Sequence, residues 1–160
     1  MYLTCYFRYI AALEKAVALC VEGADISVVC GTIDTFIEEE LKKTFSNKKS
    51  KKLERGIAMP TCISVNEIIG HFSPCPEDTI VLKLEDLVSI ELGAHIDGYA
   101  ANAGTTLVIG GKAKEKRADV LNAAWNSFLA ATRSIKAGST NQEVTEAIAK
   151  TCEAYGVEPL

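Results

Sequence analysis

The sequence predicts an α+β fold in which a helix pair and an antiparallel sheet are followed by a second helix pair. Apolar residues recur at helical spacing over residues 8–22 and 26–45, and again over 114–136 and 141–155. Between these segments, apolar and polar residues alternate from about residue 61 to 109, as in half-buried strands. The third observation is a weak internal repeat, because the two helix pairs align at an offset of 115 residues.

The first helix pair is predicted over residues 8–45. One face of its first helix is apolar and holds Ile10, Leu13, Val17 and Cys20. Gly23 breaks the pattern, and Asp25 is the predicted N-cap of the second helix. The apolar face of that helix holds Val29, Ile33 and Ile37. The residues before position 8 lack a basic region and a cleavage site, so we interpret them as the lead-in to a helix and not as a secretion signal.

A basic connection over residues 42–55 joins the helix pair to the strands. Its seven basic residues, opposed only by Glu54, are Lys42, Lys43, Lys48, Lys49, Lys51, Lys52 and Arg55. Such a run is usually a solvated connection, and a contact for nucleic-acid phosphates is the functional alternative. Phe45 is the one aromatic residue within it, so the residues alone leave both interpretations open.

The sheet is predicted over residues 57–109, with one strand expected near residues 80–84, where Ile80, Leu82 and Leu84 alternate. Asp97-Gly98 is a two-residue hairpin turn signal. A turn centred there pairs Gly93 with Asn102 and Glu91 with Gly104, so that Glu91 and Asn102 become diagonal neighbours on one face. The opposite face is the predicted core and holds Val88, Ile90, Leu92, Ala94 and Ile96.

A second helix pair is predicted over residues 114–156. Gly138 interrupts it, and Thr140 followed by Glu143 is the pattern of a capping box. In the internal repeat, Gly23 aligns with Gly138. A sheet follows the first helix pair, so the repeat predicts a second sheet after the second pair. We therefore interpret the chain as one half of a duplicated fold together with the opening helices of the next half.

Composition limits the possible classes of function. A chain of 160 residues with 48% hydrophobic residues suffices for one core, and a net charge of −4 argues against attraction of the whole protein to nucleic acid. The sequence contains no run of about 18 apolar residues, so no transmembrane helix is expected. The six cysteines form no C-x-x-C pair, which argues against a zinc cluster, and a disulfide framework is the less favoured alternative. They are Cys5, Cys20, Cys30, Cys62, Cys75 and Cys152. Cys20, Cys30 and Cys152 lie among apolar residues at helical spacing, so they are predicted to be buried free thiols.

Glu91 and Asn102, placed above Gly93 and Gly104, are the most suggestive polar pair for metal chemistry. A divalent cation prefers carboxylates, whereas Asn102 offers only a neutral carbonyl dipole. From the residues alone, a hydrogen-bonded Glu91–Asn102 pair is the favoured interpretation. His71 lies beside apolar residues, which is more often the position of a packed side chain than of an acid or base. Nothing in the sequence orients a cysteine beside it as a nucleophile.

Three motifs, in order and at matching spacing, resemble a known family. They are Gly56-Ile57-Ala58-Met59-Pro60-Thr61-Cys62-Ile63-Ser64-Val65-Asn66, Gly70-His71-Phe72-Ser73-Pro74 and Ile90-Glu91-Leu92-Gly93-Ala94-His95-Ile96-Asp97-Gly98. The series resembles the pita-bread family of creatinases and aminopeptidases. Within it, the chain is most similar to the proliferation-associated proteins, inactive relatives of type II methionine aminopeptidase. The resemblance spans about residues 8–160 and implies an incomplete pita-bread fold, one partial domain over residues 1–160.

The resemblance also implies roles for individual residues. The two aspartates that open the metal site of the active peptidases fall on Glu91 and Asn102, and the substrate-facing histidine falls on His71. Asparagine at the second position is typical of the inactive branch, whereas Glu91 departs from both branches. The other ligands, a histidine and two glutamates, belong to the second half of the fold and have no counterpart here. We therefore expect vestigial metal positions, a vestigial groove at His71, no catalytic residue and no cofactor.

Three functions follow as hypotheses. The first is a non-catalytic pita-bread binding protein, for which the resemblance implies association with RNA or the ribosome, growth or translation control, and a cytoplasmic, also nuclear or nucleolar, location. Protein partners are expected as well, and no membrane. The second is metal-dependent removal of N-terminal methionine, if the chain is part of a longer one. The third is a truncated product without independent function. The uncovered surface of such a half-fold would promote self-association, and it would include Trp125, Phe128, Ile135 and Leu160.

Overall fold

The computed structural model describes residues 2–44 and 53–159, with side chains from residue 10 onward. Within these residues, helix pair, sheet and helix pair follow in the predicted order, and the α+β class is confirmed. The elements are α1 (Tyr2–Leu19), α2 (Ile26–Lys43), β1 (Arg55–Val65), β2 (Leu87–Ile96), β3 (Tyr99–Val108), α3 (Lys116–Ser134) and α4 (Asn141–Ala154). The chain divides into two compact units, Met1–Gly111 and Lys112–Leu160.

In the first unit, α1 and α2 pack against one face of the sheet, whose strand order is β1-β2-β3. β2 is central and antiparallel to both neighbours. The predicted core faces of β2 and α2 are confirmed, since all these residues are buried: Val88, Ile90, Leu92, Ala94, Ile96, Val29, Ile33 and Ile37. The prediction for Val17 is wrong, because α1 turns Ala12 and Ala16 inward and leaves Val17 exposed.

The strand predicted near residues 80–84 is also wrong. In the described chain this segment forms only an isolated bridge, and its backbone groups bond to the connection between α1 and α2. The Leu82 N–H donates to the Ala24 carbonyl at 2.9 Å, and the Leu82 carbonyl accepts from the Gly23 N–H at 2.8 Å. Leu82 is buried in the core. The alternating pattern therefore reflects the buried Leu82 and the partly buried Ile80, which pack against the core, and not a strand of the sheet.

The helix starts follow the predicted capping signals. Asp25 caps α2 by accepting hydrogen bonds from the Ser27 N–H at 2.9 Å and the Ser27 hydroxyl at 2.8 Å. These bonds lower the pKa of the Asp25 carboxyl, because they favour its ionised form. Thr140 and Glu143 form the predicted capping box at the start of α4.

The second unit consists of α3 and α4, which pack against each other. Ser127 and Cys152 are buried there, with the hydroxyl 3.3 Å from the thiol sulfur. Trp125 and Phe128 of α3 remain 60% and 59% exposed, with ring centroids 5.9 Å apart. None of the helices in the described residues has the length and apolar character needed to cross a bilayer.

Candidate functional site

The hairpin of β2 and β3 has the predicted register. Gly93 pairs with Asn102, and Glu91 pairs with Gly104. At its turn, Asp97 and Gly98 both have positive φ, 54° and 78°, as a type I′ hairpin requires. This turn sets the alternation of side chains along both strands, so the polar face lies where the sequence places it, opposite the core.

Two glycines make room for polar side chains on this face. A Cβ atom at Gly93 would overlap the Asn102 carbonyl oxygen and lie 3.2 Å from the Cβ of Met59. A Cβ at Gly104 would lie 3.5 Å from the Cγ of Glu91 and 3.1 Å from a backbone carbonyl of β2. The Asn102 amide therefore lies over Gly93 and the Glu91 stem over Gly104, so the space that these glycines leave is filled from within the sheet.

The carboxylate of Glu91 is bound by the loop over residues 66–74. Its Oε2 atom accepts the backbone N–H of His71 at 2.8 Å and lies 3.2 Å from the His71 Nδ1 atom. The prediction of a Glu91–Asn102 hydrogen bond is wrong, because the Glu91 carboxylate meets the His71 N–H, 20 residues away in sequence, and the Asn102 amide lies over Gly93. The Glu91 side chain is 25% exposed and that of His71 is 77% exposed. His71 therefore lies on the surface and is not a packed core histidine.

Neighbouring hydrogen bonds hold the same loop against β1. The Phe72 N–H donates to the Ser64 hydroxyl at 3.3 Å, and the Ile63 N–H donates to the Phe72 carbonyl at 2.9 Å. His71 itself has a φ of 59°, in a region that residues other than glycine seldom occupy. The loop thus approaches the sheet through adjacent anchors, at Glu91 for His71 and at β1 for Phe72.

Thiol chemistry finds little support at this face. Cys62 is buried opposite Glu91 in the β1–β2 pairing, and its thiol donates to the Pro60 carbonyl at 3.3 Å. Burial raises the pKa of the Cys62 thiol, and the negative charges of Glu91 and Asp34 raise it further. A thiol with a raised pKa stays protonated near neutral pH and is a poor nucleophile. Cys20, Cys30, Cys62, Cys75 and Cys152 are all free.

The donor atoms present do not fit a catalytic metal pair. Among the described residues, no group of three or more His, Cys, Asp and Glu side chains is arranged to hold a metal ion. The Oε2 atom of Glu91 already has two partners in His71, and Asn102 carries no charge. Metal-activated hydrolysis requires several ligands that cancel the charge of the cations, together with an open coordination position.

The structure covers part of the predicted basic contact. Lys42 and Lys43 lie in the last turn of α2, where cations favour the negative end of the helix dipole. The Lys42 ammonium lies 3.8 Å from the Glu38 carboxylate, and that of Lys43 lies 2.6 Å from Glu40. Their charges are therefore partly offset. Arg55 begins β1. The remaining four residues lie outside the described residues: Lys48, Lys49, Lys51 and Lys52.

A family model and several known proteins match this sequence. The sequence model of metallopeptidase family M24 matches residues 10–159. The chain is 46% identical over 150 residues to proliferation-associated protein A of Dictyostelium discoideum, covering 91% of the chain and 38% of that protein. It is 44% identical over 145 residues to ERBB-3 binding protein 1 of Arabidopsis thaliana, covering 90% and 37%. The predicted likeness to the proliferation-associated branch is confirmed, and the chain spans roughly two-fifths of the length of these relatives.

Comparison with solved structures confirms the pita-bread fold. A thermophilic Arx1 structure superposes with a TM-score of 0.80 at 25% identity, over 96% of this chain and 48% of that one. A methionine aminopeptidase from Thermotoga maritima superposes with a TM-score of 0.74 at 24% identity, over 96% and 58%. The described residues therefore correspond to a part of these larger structures.

Proposed function

This chain belongs to metallopeptidase family M24, and we propose that it is a non-catalytic member whose role is binding. The observation that carries the proposal is the state of the two visible ligand positions, where His71 engages Glu91 and Asn102 is neutral. Peptide hydrolysis in this family requires metal-activated water. A single carboxylate with an occupied oxygen is a poor substitute for the acidic ligands that such chemistry needs.

We propose RNA, including ribosomal RNA, as the bound partner, with the run from Lys42 to Arg55 as the contact. Seven basic residues are concentrated there in a chain whose net charge is −4. A relative from Schizosaccharomyces pombe, 40% identical over 152 residues, carries the name curved DNA-binding protein, which supports a nucleic-acid ligand within the family. A role in growth or translation control, in the cytoplasm and also the nucleus or nucleolus, belongs to the same proposal.

A protein ligand is the related candidate for the binding role. The relative named ERBB-3 binding protein 1 supports it, since that name denotes a protein partner. A protein ligand would not depend on the basic run, so the effect of lysine substitutions separates the two candidates.

The test measures binding of a labelled single-stranded RNA at several salt concentrations. The variant replaces Lys48, Lys49, Lys51 and Lys52 by alanine, which takes the net charge from −4 to −8. Counterion release from single strands contributes about 0.7 to the salt slope for each phosphate contact, so loss of four contacts should reduce the slope by roughly 3. The affinity of the variant should fall by at least tenfold at low salt.

A matched control changes the net charge equally at other positions. It replaces Lys112, Lys114, Lys116 and Lys136 by alanine and should retain the wild-type affinity and slope. If both variants lose affinity equally, the effect is one of overall charge and the assigned contact is wrong. If neither affinity nor slope changes in the first variant, the basic run is a solvated connection.

Methionine aminopeptidase activity is the second candidate. It is favoured by a methionine aminopeptidase from Thermococcus onnurineus that is 34% identical over 103 residues, covering 64% of this chain and 34% of that enzyme. Release of methionine from a short Met-Ala peptide in the presence of cobalt measures this activity directly. We expect no release above a protein-free control, and turnover that is lost on Glu91→Ala would contradict the non-catalytic role.

A further inference from the structure

We propose that Glu91 is a structural latch that orders the His71 turn at the position where a peptidase of this family would bind metal. The proposal starts from the disagreement between the family's metal chemistry and the donors present. It rests on the proposed function in one respect, because it requires that no metal occupies Glu91. Its prediction concerns the conformation of the loop and is independent of any binding partner.

The contact joins a single carboxylate oxygen of Glu91 to two groups of His71. One oxygen of Glu91 accepts the His71 backbone N–H at 2.8 Å and lies 3.2 Å from Nδ1 of the same residue. The backbone N–H and the ring of His71 thus contact the same atom. This residue has a φ of 59°, a conformation that few residues other than glycine adopt, although histidine does so more often than most. A Cβ atom at the preceding Gly70 would lie 3.4 Å from the same oxygen, so the approach is close.

The length of the glutamate side chain is essential to this contact. Aspartate at position 91 would be shorter by one methylene, which withdraws the carboxylate by roughly 1.3 Å, given a carbon–carbon bond of about 1.5 Å. The present 2.8 Å bond to the His71 N–H would then exceed the range of a hydrogen bond. The shorter aspartate of the active peptidases could not make this contact, whereas the glutamate present at position 91 reaches the loop.

Phe72, the next residue of the loop, serves as an internal control for loss of the Glu91–His71 contact. Phe72 has its own anchors, because its N–H donates to the Ser64 hydroxyl at 3.3 Å and its carbonyl accepts from the Ile63 N–H at 2.9 Å. Removal of the latch should therefore release His71 and leave Phe72 in place. A general loosening of the fold would affect both residues together.

The test is amide hydrogen exchange by NMR on the 160-residue chain, with circular dichroism to establish that each variant is folded. In Glu91→Asp, exchange of the His71 amide should rise at least tenfold, while that of Phe72 changes less than threefold, because a bond to a charged group is lost at one amide only. Glu91→Gln keeps an acceptor of the same length and should show a smaller rise. Ser64→Ala is the matched control and should reverse the pattern, with faster exchange at Phe72 and little change at His71.

Two different results would each contradict the proposal that Glu91 orders the His71 turn, and only the second would also contradict the proposed function. If Glu91→Asp leaves the His71 exchange unchanged, or accelerates both residues equally, the carboxylate does not order this turn, and the non-catalytic role is unaffected. If manganese added to the wild-type chain broadens the His71 resonances and the effect is absent in Glu91→Ala, then Glu91 is a metal ligand, and both the latch and the proposed function fail. We expect manganese to leave His71 unaffected.

Discussion

Asp34 connects α2 to β1 through hydrogen bonds to Thr61, and its removal should destabilise the first unit strongly. Its Oδ1 atom accepts the Thr61 N–H at 2.9 Å and the Thr61 hydroxyl at 2.6 Å, and Thr61 is 0% exposed. Asp34→Ala leaves two buried donors without an acceptor, at about 1–3 kcal/mol each. Water can enter from the partly exposed side of Asp34, so we expect a loss of about 2–4 kcal/mol in the free energy of unfolding.

Urea denaturation measures this loss, and related variants divide it between the two bonds. Asp34→Asn keeps a carbonyl acceptor but loses the charge, so about 1 kcal/mol is expected. Thr61→Val removes the hydroxyl and keeps the backbone donor, and the double variant with Asp34→Ala should show that the two losses are not additive. Glu39→Ala, an exposed change on the same helix, should remain within about 0.5 kcal/mol of wild type. A loss of less than 0.5 kcal/mol for Asp34→Ala would show that these two hydrogen bonds do not stabilise the first unit.

Three further properties should follow from single residues: acid stability from Asp25, thiol reactivity from Cys30 and Cys75, and association from Trp125. The pKa of the Asp25 carboxyl is lower in the folded protein than its ordinary value of 3.8. Ionised Asp25 therefore stabilises the fold above pH 3.8, and this stabilisation is lost as the pH falls through the folded-state pKa. Asp25→Asn should make the free energy of unfolding less dependent on pH in this acid range. Burial raises the pKa of Cys30 to about 12, so iodoacetamide at pH 8 should modify the exposed Cys75 before Cys30, which should react only on unfolding. Mass spectrometry measures the order of modification. Trp125 and Phe128 are exposed, so sedimentation equilibrium should show self-association that Trp125→Glu reduces; a concentration-independent monomer would contradict this.

The hairpin was predictable because its determinants are local. Asp97-Gly98 fixes a turn with positive φ at both positions, and a period of two then assigns every side chain of β2 and β3 to a face. A one-residue shift would have moved Ile90 out of the core and Glu91 into it. The caps at Asp25 and Thr140 were predictable for the same reason, since each depends on residues two or three positions away.

The partner of Glu91 was not predictable in this way. It depends on a loop that leaves β1, crosses the polar face and returns a backbone N–H across 20 residues of sequence. No residue type marks such a donor, because every residue except proline carries one. The strand prediction near Leu82 was wrong for a similar reason. The backbone hydrogen bonds of this segment go to the connection between α1 and α2, and the alternation of side chains cannot identify such a partner. The sequence thus predicted the register that places Glu91 and Asn102 on one face of the hairpin, but it did not predict the contact that Glu91 makes.

Calorimetric titration of the chain with cobalt or manganese measures whether the site at Glu91 and Asn102 can support metal-dependent catalysis. We expect no tight binding, because His71 engages the carboxylate and Asn102 supplies no charge. Binding of about two equivalents at micromolar affinity or better, abolished by Glu91→Ala, would show that Glu91 is a ligand of a metal pair.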